Sequence, residues 1–275
     1  MKIQYNNQGI TIFESALYRT TTTIVSIGHA LLIVDPNWVP DEITFIQDFI
    51  SANYARHRQY LVFTHSDYDH IIGYGAFLGA TVIASQNFVL NAEKVRILDQ
   101  IRAFDNQFYI TRSYPVTYPH ADIIICDDGQ KILIEGQEIY FYHAQGHVRD
   151  GLFVLIPDKN CWIAGDYLSN IEIPMVDDDF DAYHETLLKA SNLINEYKTI
   201  HLLITGHGDH AGDREEVNKR IGNDLQYLSM LKIAIADGQM HISDRLTRLI
   251  LGYSQNPEMM KIHEINVRKM TGVIN

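Results

Sequence analysis

The chain has 275 residues, enough for one large domain or two small ones with a sizeable core. An apolar content of 46% against 20% charged residues excludes a disordered chain. The net charge of −12 repels phosphate backbones, so no nucleic-acid partner is expected.

The first residues, Met1-Lys2-Ile3-Gln4-Tyr5-Asn6-Asn7, contain no apolar signal core, and no stretch approaches a membrane span. A cytoplasmic protein with no membrane partner is the expectation. Residues 22–27 and 31–34 are β-branched and apolar runs around Gly28, which predicts a hairpin ending at Asp35-Pro36. Residues 40–56 carry Ile43, Ile46, Phe49 and Ile50 on one helical face. Two short buried strands follow at 60–63 and 81–84, with a polar motif and two glycines between them. The pattern predicts a helix over 86–108 and a loop over 110–121, where Pro115 and Pro119 stand. Five further strands are expected at 123–126, 132–134, 139–142, 152–156 and 162–164, set apart by turn signals such as Asp128-Gly129 and Glu135-Gly136. A helix over 182–197 capped by Asp181 precedes a strand at 201–204. The remainder reads as helices: one ending near Gly238, one from Ser243 to about Leu251, and one opened by Asn256-Pro257.

This order predicts two sheets packed face to face with helices outside. It divides into a catalytic domain at 1–210 and a helical extension at 211–275 packed on the same domain. Cys126 and Cys161 each sit in an apolar run without CxxC spacing, and are expected to be buried reduced thiols.

The chemistry concentrates in His65-Ser66-Asp67-Tyr68-Asp69-His70, directly after the strand at 60–63. Four metal-competent side chains within six residues cannot all point one way on a regular strand or helix. They converge where a strand turns into a helix, and Gly73 and Gly75 allow close backbone approach. Imidazole and carboxylate ligands suit borderline cations. The competing reading is a polar loop with capping carboxylates. Three later segments weigh against it: Gly146-His147, Gly165-Asp166 and Gly206-His207 each place a metal-competent residue next to a glycine just beyond a strand.

Together these segments resemble the metallo-β-lactamase fold superfamily, whose pattern H-x-H-x-D-H, Gly-His, Asp and final His recurs here in order over about 20–210. The resemblance implies an α/β fold, an αββα sandwich of two mixed β-sheets with outer helices. It implies a dinuclear site with one metal held by His65, Asp67 and His147, a second by Asp69, His70 and His207, and Asp166 bridging them. It further implies a hydroxide shared by two divalent cations that attacks an electrophilic centre, with Asp69 orienting it and moving a proton to the leaving group. The expected function is hydrolysis of a small ester, lactone, thioester or amide.

The chain departs from the pattern at Asp67, where the superfamily usually has His. With three carboxylates and a hydroxide, the ligand charge balances two divalent cations, which weakens them as Lewis acids. Zinc is implied by the family; Asp67 makes iron or manganese acceptable, as in flavodiiron relatives with an acidic residue there. An iron-dependent oxidoreductase is therefore the alternative enzyme. A phosphodiesterase or nuclease is disfavoured by the charge, and a flavodiiron enzyme by the helical character of the residues after 210. A non-catalytic metal-binding module is disfavoured by the complete ligand set. A small-molecule substrate is expected, and a homo-oligomer is left open. His143, His184, His210 and His263 read as packing or surface residues, Asp177-Asp178-Asp179 as a solvated loop. Tyr109, Tyr114, Tyr118 and Tyr167 read as core-packing aromatics or pocket lining.

Overall fold

The computed structural model describes residues 1–236 and 244–271. Two strands precede the expected hairpin. β1 (Lys2–Asn7) and β2 (Ile10–Glu14) pair antiparallel across Gln8 and Gly9, both at positive φ, 52° and 77°. Such a two-residue turn matches the twist of a hairpin, and the run Ile10-Thr11-Ile12-Phe13 is the sequence signal for its second strand. β3 (Thr21–Ile27) and β4 (Ala30–Val34) continue the antiparallel order and are buried almost throughout. α1 (Pro40–Tyr54) starts on a proline and buries Ile43, Ile46 and Ile50. It returns the chain to β5 (Arg58–Val62), parallel to β4.

After β5 come α2 (Tyr68–Ile71), β6 (Thr81–Ser85), α3 (Gln86–Leu90), α4 (Lys94–Gln107) and β7 (Ile123–Ile125). β5, β6 and β7 run parallel, completing a seven-stranded sheet in the order β1-β2-β3-β4-β5-β6-β7. β8 (Gln130–Ile134), β9 (Gln137–His143) and β10 (Leu152–Ile156) form an antiparallel meander. β11 (Cys161–Ile163) and, after α5 (Phe180–Glu196), β12 (Leu202–Ile204) pair in parallel. The second sheet is five-stranded, in the order β12-β11-β10-β9-β8. The chain then becomes helical in α6 (Arg214–Ala236), α7 (Asp244–Tyr253) and α8 (Glu258–Thr271). The helix limits expected at Gly238 and Ser243 lie outside the described residues. No helix among the described residues is long and apolar enough to cross a membrane.

The chain clusters into two compact units, Met1–His143 with Asp150–Lys159, and Ala144–Arg149 with Asn160–Asn275. In the first, Phe63 stacks on Phe88 with centroids 5.6 Å apart and planes 13° apart, and Trp38 packs against Phe104 at 4.8 Å. In the second, α5 buries Tyr183, Leu187, Ala190 and Ile194, and Tyr183 lies 4.4 Å from Tyr167.

Four expectations are corrected. The helix over 86–108 is broken: Ser85 caps α3 by accepting from Phe88 N, and Asn91 leaves the helix at φ −55°, ψ 124°. The break has a cause, because Asn91 Nδ2 donates to Ser66 Oγ at 2.8 Å and to Asp150 Oδ2 at 3.2 Å. α5 is capped by Asp179, whose carboxylate accepts from Ala182 N at 2.7 Å, rather than by Asp181. Cys126 is exposed, since it follows the last paired residue of β7 at the edge of its sheet, whereas Cys161 is buried in β11. Tyr109 is 94% exposed and packs over no core, because the turn after α4 puts it at positive φ.

Truncating Phe63 to Ala removes a fully buried ring and its stacking partner. The expected loss is about 3–5 kcal/mol of unfolding free energy, read from urea denaturation. A loss below about 1 kcal/mol contradicts the assigned core.

Candidate metal centre

The first unit holds one set of candidate ligands. The chain leaves β5 through Phe63 and Thr64 and turns into α2 within the motif. Asp67 occupies the position before α2, at φ −59° and ψ 144°, and its side chain makes no capping hydrogen bond. Its Oδ2 lies 3.7 Å from His65 Nε2. Asp69 Oδ2 lies 3.6 Å from His70 Nε2. The two imidazole centroids are 4.0 Å apart. His65 and His70 are both buried.

Ring orientation comes from a residue that the motif does not contain. Asp35, at the end of β4, adopts φ 49°, a left-handed conformation that few non-glycine residues hold. Its carbonyl is pinned by Thr22 Oγ1 at 2.9 Å and Asn37 Nδ2 at 3.0 Å. Its buried carboxylate accepts from Thr64 N at 2.9 Å, from Thr64 Oγ1 at 2.5 Å and from His70 Nδ1 at 3.0 Å. Because the Thr64 hydroxyl donates to Asp35, it is left to accept from His65 Nδ1 at 3.0 Å. Asp35 thus sets both rings with Nδ1 protonated and the Nε2 lone pair available as a ligand. Asp150 holds the motif from the other side: its Oδ1 accepts from Ser66 N at 3.2 Å, and its carbonyl from Ser85 Oγ at 2.8 Å. Burial pushes the Asp150 carboxyl up, against the lowering effect of the Ser66 bond.

The second unit holds the other set. Gly146 lies at φ 115°, and a Cβ there would meet Tyr183 N at 2.2 Å, so this turn requires glycine. His147 N donates to Tyr167 Oη at 3.0 Å, and Tyr167 Oη donates to Gln145 O at 2.6 Å. His147 Nδ1 donates to Met175 O at 2.8 Å. Asp166 follows β11, and its Oδ2 lies 3.4 Å from His147 Nε2 and 3.4 Å from His207 Nε2. The His207 carbonyl accepts from Ser169 Oγ at 3.0 Å and Thr205 Oγ1 at 2.8 Å.

Helix α6 braces this set. Arg220 is buried; its Nη1 donates to Leu168 O at 3.3 Å and Asp209 O at 2.8 Å, and its Nη2 to His210 O at 3.4 Å. It therefore ties together the chain just after Asp166 and the chain just after His207. One turn on, Asp224 is buried and accepts from Tyr253 Oη at 2.7 Å. Burial raises its pKa to about 7, opposed by bonds from Tyr253 and the Leu168 backbone.

The spacing of these groups is informative. The four pairs between an imidazole Nε2 and a candidate carboxylate ligand lie at 3.4–3.7 Å, beyond an ordinary hydrogen bond. Two ligand atoms sharing a tetrahedral cation at about 2.0–2.1 Å stand ~3.3 Å apart. The donor set and its spacing fit cations held by histidine and aspartate.

The family pattern described as the metallo-beta-lactamase superfamily matches residues 20–207. The chain belongs to the metallo-β-lactamase superfamily. Solved structures share the superfamily fold. A metallo-β-lactamase from Pontibacter korlensis aligns at TM-score 0.58 and 17% identity, covering 82% of this chain and 98% of its own. One from Hirschia baltica aligns at 0.53 and 18%, covering 80% and 96%. The stereoselective inverting sec-alkylsulfatase Pisa1 from Pseudomonas sp. aligns at 0.74 and 13%, covering 98% of this chain and 50% of its own. The chain thus spans half the length of that sulfatase. At these identities the likeness concerns the fold. No curated protein matches the sequence.

Superfamily membership bears out the resemblance and the α/β fold of two mixed sheets with helices. Three other histidines take structural places. His143 ends β9 opposite Leu152, and its N–H donates to Asp128 Oδ1. His210 is half-buried, with its pKa lowered by burial. His263 faces Tyr227 Oη at 3.1 Å. Tyr167 proves to be a buried brace for the Gly146-His147 turn. Asp35 was discoverable, since it too is a carboxylate just beyond a strand. Arg220 carries no such signal, because a helical arginine reads as surface.

Two outcomes are expected. Asp35→Asn should lower metal affinity about 10–100-fold without unfolding the chain, because His70 loses its charged acceptor; unchanged affinity in a competitive chelator titration contradicts this role. Asp224 has a folded pKa of about 7, above the unfolded value near ~3.9. The folded state therefore binds more protons in that window, and stability falls as pH rises through it. Urea unfolding of Asp224→Asn should show a shallower fall over that window than the parent chain, and identical slopes refute the assignment.

Proposed function

We propose that this chain is a metal-dependent hydrolase with a dinuclear centre that acts on a small ester, lactone, thioester or amide. In this reading His65, Asp67 and His147 would hold one divalent cation, Asp69, His70 and His207 the other, and Asp166 would be shared by both. The observation that carries the reading is the single Asp166 oxygen at 3.4 Å from both His147 Nε2 and His207 Nε2, two imidazoles assigned to different cations.

Bound there, two divalent cations supply Lewis acidity and make water acidic enough to react at neutral pH. The chain's own residues do the rest. Asp35, Thr64 and the Met175 carbonyl keep three imidazoles in the ligating tautomer, so none has to reorganise during turnover. Asp69, buried beside His70, orients the attacking water, takes its proton and delivers it to the leaving group. The carboxylate at Asp67 adds negative charge where the superfamily usually has a neutral imidazole, which favours iron or manganese beside zinc.

Sulfate-ester hydrolysis is the second reading. It is favoured by the alkylsulfatase match, which extends over 98% of this chain. A nuclease is disfavoured by the net charge of −12.

Elemental analysis of protein purified without added metal should show two cations per chain, iron or manganese among them. Stoichiometric zinc alone sinks the argument from Asp67. A screen of ester, lactone, thioester, amide, sulfate-ester and phosphodiester substrates should find hydrolysis of a carbonyl compound, or of a sulfate ester under the second reading. Asp69→Asn and His147→Ala should abolish it while circular dichroism stays that of the parent. Full turnover by either variant, or a metal-loaded chain that hydrolyses none of these classes, overturns the proposal.

A further inference from the structure

The helices after 210 reach the chain around His147 through two side chains of α8, Asn266 and Lys269. Asn266 lies on α8 and is fully buried. Its Nδ2 donates to Pro174 O at 2.6 Å and to Tyr227 Oη at 2.9 Å, and its Oδ1 accepts from Val176 N at 2.9 Å. Pro174 O and Val176 N flank Met175, whose carbonyl oxygen holds His147 Nδ1 at 2.8 Å. The amide therefore grips the main chain on both sides of the one peptide oxygen that orients the imidazole. A second grip follows: Asp177 N donates to His147 O at 3.0 Å, and Lys269, also on α8, donates to Asp177 O at 2.6 Å.

Asn suits this position for a chemical reason. A side-chain amide offers a donor and an acceptor together, matched here to a carbonyl and an N–H two residues apart. Asp would set a carboxylate against the Pro174 carbonyl. Tyr227 Oη accepts from Asn266, so its own proton points to His263 Nδ1 at 3.1 Å. Each polar group of the buried cluster has its place, and the amide cannot flip without opposing like groups.

We propose that Asn266 is a positioning residue for His147, acting through Met175, so that α8 is part of the support of the metal centre. Its consequence for metal binding rests on the reading under Proposed function; the coupling of Asn266 to the His147 ring does not. With the amide in place, Met175 O stays on Nδ1 and the imidazole keeps its proton there, leaving Nε2 as the ligand atom. Without it, the 174–176 segment shifts and the neutral ring redistributes between its two tautomers.

The test is nitrogen-15 NMR of the imidazoles in the full chain without metal, at alkaline pH, with His147→Gln used for assignment. The parent should show His147 as a single Nδ1–H tautomer. Asn266→Ala should show a mixture at His147 and unchanged signals from His65 and His70, a selectivity that general destabilisation does not produce. If Asn266→Ala does not fold, Asn266→Asp, equal in size, should give the same tautomer mixture. A single Nδ1–H tautomer at His147 in a folded variant overturns the inference. In parallel, zinc titration against a chelator should show affinity reduced about 10–100-fold in the variant. A parent chain that binds none of zinc, iron(II) and manganese(II) defeats the hydrolase reading, while the tautomer comparison still decides the role of Asn266.

Discussion

A neutral imidazole binds a cation through one nitrogen only with its proton on the other, and an acceptor facing that N–H fixes the tautomer and the ring orientation. His65, His70 and His147 meet this condition through Thr64, Asp35 and the Met175 carbonyl. The acceptors come from places far apart in sequence, and each is itself held. Asp35 stands at positive φ with its carbonyl pinned twice, and Thr64 spends its proton on Asp35. Met175 is gripped on both sides by Asn266. Much of the buried polar structure serves this tautomer constraint, which explains why carboxylates, hydroxyls and an amide are buried where apolar packing would cost less.

The helices after 210 belong to this arrangement. Arg220 ties the backbone after Asp166 to the backbone after His207, and Asp224 ties α6 to α7 through Tyr253. Main-chain carbonyls that leave a strand end have no ladder partner, and a buried guanidinium, with five donors in a fixed fork, can serve several of them at once. Burial raises the pKa of Asp224, so by linkage this bracing is expected to cost stability as pH rises.

The candidate ligands were legible because four of them crowd into 65–70, and the three later ones share one local signal, a metal-competent residue beside a glycine after a strand. The glycine requirement is physical at Gly146 and Gly208, where a Cβ would come within 2.2 Å of Tyr183 N and 2.4 Å of Asn170 Oδ1. Their supports were less legible. Asp35 and Asp150 are single carboxylates whose meaning depends on Thr64, His70 and Ser66 arriving beside them. The break at Asn91 also escaped periodicity, because a contact to Ser66 and Asp150 outweighs the helical preference of the flanking residues.

By itself the sequence determined the superfamily and most of the strand and helix order from residue 22 onward, apart from the break at Asn91 and the short α2, and it nominated seven candidate ligands from His65 to His207. These are local matters: apolar periodicity, turn chemistry and ligand spacing are written in adjacent residues. Tertiary structure alone decided which oxygen faces each Nδ1, that Asp67 does not cap its helix, that Cys126 lies exposed at a sheet edge, and that Arg220 and Asn266 are buried braces rather than surface residues. Those outcomes depend on pairs as far apart as Asn266 and Pro174, 92 residues from one another, and no local pattern encodes a contact at that separation.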